Sequence, residues 1–115
     1  MIRTRLTITV AGLAFALGLA HLSFLLASPP GWTTDKLWFT GTGLAMLAAA
    51  LLNLTGRHIP GPTFSGAAIV AANLALALFF ASAWPVLKGP QVIVGGLIFG
   101  VLALLALTRR PASAA

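Results

Sequence analysis

Long apolar runs separated by short polar segments dominate the hydropathy pattern of this chain. The runs cover about 6–27, 37–55, 64–84 and 91–107, and every charged side chain lies outside them. Each run is close to the ~20 residues that a helix needs to cross ~30 Å of hydrocarbon at 1.5 Å per residue. The pattern therefore predicts an all-α integral membrane protein, with four transmembrane helices in a single domain over residues 1–115.

Proline and glycine divide the runs. Pro29 and Pro30 end the first run by removing two backbone donors. Gly56 is expected to end the second helix as a left-handed C-cap, and Pro85 to end or kink the third. Because all the connections are short, sequential helices should be antiparallel neighbours, which gives an up-down-up-down bundle. Residues 111–115 are expected to be a disordered tail.

The composition agrees with a lipid environment. Hydrophobic residues make up 59% of the chain and charged residues 7%, against about 45–50% and about 25% in soluble domains. The chain has no cysteine, which excludes a disulfide framework and thiolate metal sites. The net charge of +6 does not indicate a nucleic-acid partner, because the cations are scattered at helix ends and form no continuous basic face.

The distribution of cations predicts an orientation. The arginines would share one side of the predicted bundle: Arg3, Arg5, Arg57, Arg109 and Arg110. The other side would hold only Lys36 and Lys88, with Asp35 beside Lys36. The positive-inside rule then places both termini in the cytoplasm of a multi-pass protein, which we expect in a bacterial inner membrane. The three tryptophans, Trp32, Trp38 and Trp84, would lie near the outer interface, where indole rings prefer to sit.

His21 is a candidate ligand-binding residue, since it lies about 9 Å below the outer end of the first helix. Thr40 and Thr42 would lie at a similar depth, with Trp38 and Trp84 just above. Together these residues would form a small outer-leaflet pocket for a neutral amphipathic molecule such as a quinone, a lipid or haem. The alternative is a neutral imidazole that bonds to a neighbouring helix and has no ligand. No cofactor is otherwise predicted.

Two asparagines lie within the runs. An unpaired amide in hydrocarbon costs several kcal/mol, so Asn53 and Asn73 are expected to bond between helices and hold them together. The alternative is that they line the solute pathway of a small homo-oligomeric pore.

Small residues recur at helical spacing and predict close helix packing. Gly18 and Gly41 belong to loose small-xxx-small pairs, and Gly96 with Gly100 forms a G-x-x-x-G motif. Most such faces should serve packing within the chain. The fourth helix is otherwise apolar all round, so its glycines are expected to face a partner or a second copy.

The sequence favours an interaction role over catalysis. It shows no nucleophile–base pair, paired carboxylates or metal-ligand cluster, so we do not expect an enzyme. The leading hypothesis is an accessory or scaffolding subunit that packs against a larger membrane complex or against itself. The alternatives are a ligand-binding or transport bundle around His21, and the small pore.

Overall fold

Four α-helices account for most of the chain. The computed structural model describes residues 2–111, in which the elements are α1 (Ile2–Ala27), α2 (Thr34–Thr55), α3 (Phe64–Leu87) and α4 (Pro90–Leu107), with no strand over that range. Each helix is long and apolar enough to cross a membrane. Of the tail predicted at 111–115, all but Pro111 lies outside the described residues.

The helices extend a little beyond the apolar runs. α1 begins at Ile2 and therefore includes Arg3 and Arg5, because arginine is a good helix former even where the hydropathy pattern has ended. Pro85 does not end α3, which continues to Leu87. Close to a helix end, proline removes only one of the last hydrogen bonds. The helix ends instead at Lys88, whose φ is 37° and whose N–H donates to the Trp84 carbonyl at 3.0 Å.

A threonine side chain caps the start of α2, and a glycine follows its last residue. Thr33 is its N-cap, accepting from the Lys36 N–H at 3.2 Å. The expected left-handed cap at Gly56 is wrong, because its φ is −88°. Glycine is needed there for space: a Cβ atom would lie 2.5 Å from Cδ1 of Ile69 and 2.7 Å from the Leu52 carbonyl oxygen.

The helices pack mainly in two pairs. The most extensive contacts join α1 to α2 and α3 to α4, α1 also packs against α4, and α2 contacts α3 less. The buried core is small and includes Ala11, Ala14, Met46, Ala50, Phe99 and Leu102. Many large apolar side chains remain exposed on every helix. Contiguous apolar surface is rare on soluble monomers, so this distribution is consistent with a helical bundle in a membrane.

Candidate functional site

His21 lies within a group of aromatic rings. Its ring centroid is 5.5 Å from that of Phe39 on α2 and 6.3 Å from that of Phe80 on α3. Its Nδ1 lies 3.1 Å from the Leu17 carbonyl oxygen, one helical turn earlier. Since a carbonyl oxygen only accepts, Nδ1 donates this bond, and in the tautomer with a single ring proton Nε2 is an acceptor. The side chain is half-buried, so an acceptor is positioned among phenyl rings.

The other residues of the predicted outer pocket have different surroundings. Trp38 is 64% exposed. The Thr40 hydroxyl donates to the Lys36 carbonyl of its own helix at 2.7 Å, and Thr42 is half-buried. Trp84 lines an apolar groove between α3 and α4. Phe80 links these places, because it contacts His21 and also lines the groove.

Asn53 and Asn73 form a closed amide pair between α2 and α3. Nδ2 of Asn53 donates to Oδ1 of Asn73 at 2.8 Å, and Nδ2 of Asn73 donates back to Oδ1 of Asn53 at 2.9 Å. A second donation from Asn53 reaches the Ala49 carbonyl at 2.7 Å. Both side chains are buried, at 1% and 0% exposure. The two amides therefore join α2 to α3.

Two glycines, Gly18 and Gly43, allow a close contact between the backbones of α1 and α2. A Cβ atom on Gly18 would lie 3.1 Å from the Gly43 carbonyl oxygen, and one on Gly43 would lie 3.1 Å from that of Gly18. The predicted packing residue Gly41 faces open space, with nothing within 4 Å of its Cβ position. Gly43, two residues away, is therefore the packing glycine of α2.

A similar offset occurs on α4. Gly95 packs under Phe80, whose ring would lie 2.6 Å from a Cβ atom at that position. By contrast, nothing lies within 4 Å of the Gly100 Cβ position, and at Gly96 only Cβ of Phe80 does, at 3.8 Å. We call Gly96 and Gly100 the α4 glycine face. This face takes almost no part in packing among the described residues.

The α4 glycine face adjoins the groove between α3 and α4. The groove has a volume of about 290 Å³, and its walls include Ala77, Ala81, Trp84, Ile93, Gly96 and Leu97. We call it the α3–α4 groove. Its lining side chains are apolar except for the indole N–H of Trp84, so it suits an apolar chain or helix and offers little for binding a charged ligand.

The end of the bundle that holds the arginines, here called the arginine end, is built around Arg109. Nη1 of Arg109 donates to the carbonyls of Gly56 and Ile59, and the Gly61 N–H donates to the Arg109 carbonyl at 2.9 Å. Arg3 donates to the Thr108 carbonyl at 2.9 Å. These bonds bring together the start of α1, the α2–α3 connection and the end of α4.

Burial at this end affects Arg109 itself. Desolvation lowers the pKa of its guanidinium from the usual value. Its Nη2 atom is buried without a hydrogen-bond partner among residues 2–111. The chain's only acid, Asp35, lies in the first turn of α2, at the opposite end of that helix. Among residues 2–111, the charge of Arg109 is therefore met by carbonyl dipoles and by no carboxylate.

Similarity to characterised proteins adds nothing to these observations. Comparison of the chain with protein-family models, curated proteins and solved structures found no match.

Proposed function

We propose that the chain spans a bacterial inner membrane four times, in alternating directions, with both termini in the cytoplasm. The four apolar helices and their exposed apolar side chains support insertion. Two contacts support the alternating directions: Arg3 with Thr108, and Arg109 with Gly56. Each joins chain segments that are separated by an even number of helices, and such segments lie on the same side of the membrane only if successive helices cross it in opposite directions. The arginines at that end support a cytoplasmic location.

Within the membrane, the protein acts as an accessory or scaffolding subunit that packs through α4 against a larger membrane complex or against itself. The α4 glycine face is the observation that carries this proposal. Gly96 and Gly100 are available for close contact because the internal packing of α4 uses Gly95 instead. In lipid, helices associate through van der Waals packing of such small residues, without a hydrophobic driving force.

The test replaces the open glycines by leucine. Gly96→Leu and Gly100→Leu should each reduce the co-purified partner, or the homodimer, roughly 5- to 150-fold, the effect of about 1–3 kcal/mol of overpacking. The measurement is quantitative mass spectrometry after cross-linking in native membranes and mild extraction. Gly12→Leu is the matched control, because the Cβ position of Gly12 on α1 also has nothing within 4 Å.

Two results would contradict the packing proposal. One is a protein that stays monomeric and partner-free at every detergent-to-lipid ratio. The other is an equal loss of partner in Gly12→Leu and Gly100→Leu, since lipid-facing bulk anywhere would then suffice.

A second candidate function is binding of a neutral amphipathic ligand at His21. It is favoured by the Nε2 acceptor held beside Phe39 and Phe80. A quinol or lipid hydroxyl could donate to Nε2 while its apolar part contacts the rings. A pore lined by Asn53 and Asn73 has less support, because these amides are directed at each other.

His21→Ala tests the second candidate. Occupancy of extracted quinone, lipid or pigment should fall roughly 2- to 10-fold, the value of one net hydrogen bond. His58→Ala is the control, because His58 is exposed in the α2–α3 connection. Unchanged occupancy in His21→Ala, measured by solvent extraction and chromatography, would count against ligand binding.

A further inference from the structure

The two ends of the bundle carry different kinds of cation. All the cations grouped with Arg109 are arginines, whereas both lysines, Lys36 and Lys88, lie at the other end. The distinction has chemical meaning, because a guanidinium presents a planar fork that matches two phosphate oxygens, and an ammonium is a compact point charge. Orientation by the positive-inside rule requires only positive charge, so it does not explain the exclusive use of arginine.

Positive charge at the arginine end exceeds what the described residues, 2–111, can compensate. α2 and α4 end there while α1 and α3 begin there, so the negative and positive poles of the four helix dipoles roughly cancel. The five guanidinium groups therefore have no compensating charge nearby within residues 2–111, because Asp35 is one helix length away. The buried Nη2 of Arg109 has no partner in the described chain. An anion from outside the chain is therefore favoured at this end.

We propose that the arginine end binds the phosphate headgroup of an anionic membrane lipid. Arg3 and Arg110 are exposed and supply the direct contacts. Arg109 acts as a positioning residue: its guanidinium is held by the carbonyls of Gly56 and Ile59 and contributes a fixed positive charge behind them. Basic sites between helix ends on the cytoplasmic side are a known setting for lipid phosphate recognition. The inference rests on the membrane placement proposed above.

The experiment compares two lipids with identical acyl chains. Detergent-solubilised protein is incubated with equal amounts of phosphatidylglycerol and phosphatidylcholine, and bound lipid is counted by native mass spectrometry. The wild type should prefer phosphatidylglycerol, and Arg110→Gln or Arg3→Gln should each reduce that preference about fivefold, the effect of one cation near an anionic surface. Lys88→Gln is the matched control, because it removes one exposed charge at the opposite end.

A conservative variant and a soluble competitor sharpen the test. Arg110→Lys keeps the charge but loses the fork, so it should lose part of the preference and Arg110→Gln should lose more. Excess glycerol 3-phosphate should leave the lipid bound. Displacement of phosphatidylglycerol by this competitor would assign the site to a soluble phosphate and overturn the lipid assignment.

Equal binding of the two lipids by the wild type would also overturn the proposal, as would an equal loss in Lys88→Gln and Arg110→Gln. Reconstitution into phosphatidylcholine vesicles separates these outcomes from failure of the membrane placement. Protein that does not insert would overturn both proposals. Protein that inserts but shows no lipid preference would overturn this one alone.

Discussion

The amide pair of Asn53 and Asn73 joins α2 to α3. These two helices pack against each other less extensively than α1 does against α2, α3 against α4, or α1 against α4. α2 and α3 share few packing contacts, so two buried hydrogen bonds make up a large part of the α2–α3 interface. Each amide satisfies the other in an interior shielded from solvent, where both side chains are almost fully buried. Removal of one partner leaves the second amide buried and unsatisfied, which costs more than the bond itself contributes.

A double-mutant cycle measures this pair. Asn53→Leu and Asn73→Leu should each lower the free energy of unfolding in detergent by about 1–3 kcal/mol, because each leaves one orphaned amide. The double variant should cost less than the sum of the two, since it leaves no orphan and replaces both amides by apolar groups. Unfolding is followed by circular dichroism during titration with sodium dodecyl sulfate.

Thr55→Val provides the control for that cycle. The Thr55 hydroxyl is exposed and donates to the Leu51 carbonyl of its own helix, so its loss should change stability by less than about 0.5 kcal/mol. Additive costs for the two asparagine variants would mean that the amides do not depend on each other.

Sequence reasoning at the residue scale identified which groups are polar but not which groups they meet. The need of Asn53 and Asn73 for partners follows from hydrocarbon chemistry alone. That they would meet each other depends on the register between α2 and α3, which hydropathy does not encode. The same holds for His21. Its position along α1 follows from the sequence, whereas its contact with Phe80 depends on how α3 packs relative to α1.

At the scale of the helix, apolar length predicted the number and approximate extent of the elements, because spanning hydrocarbon requires a minimum number of apolar residues. It did not predict which face of each helix packs inward. Gly41 and Gly43 are equally good small residues, and so are Gly95 and Gly96. A helix that is apolar all round has no periodicity to distinguish its inner face from its lipid face. Only the structure assigns Gly43 and Gly95 to the interior.

This ambiguity is also the reason that α4 carries the functional proposal. A G-x-x-x-G motif in sequence is equally suited to packing within the chain and to packing with a partner. Gly95 packs under the ring of Phe80, whereas the Cβ positions of Gly96 and Gly100 have almost no neighbours within 4 Å. The position of one aromatic ring therefore distinguishes Gly95, which packs within the chain, from Gly96 and Gly100, whose Cβ positions have room for a partner.

For the whole molecule, the cations at the two ends determine the expected orientation. Five arginines at one end and two lysines at the other give a clear bias in charge, which should produce a single topology. The absence of cysteine from the chain makes the topology measurable, because one introduced thiol reports on one position. Trp32 in the α1–α2 connection and His58 in the α2–α3 connection are both exposed aromatic residues suited to replacement.

In intact bacterial cells with an opened outer membrane, a membrane-impermeant maleimide should label Trp32→Cys and leave His58→Cys unlabelled. Both should react after the inner membrane is permeabilised, which controls for accessibility of each thiol. The reason is electrostatic: translocating the α2–α3 connection would carry Arg57 outward, together with the arginines bonded to the same end, against the bias that retains cations in the cytoplasm. Equal labelling of both variants in intact cells would contradict a single orientation, and labelling of His58→Cys alone would invert it, placing the arginine end outside.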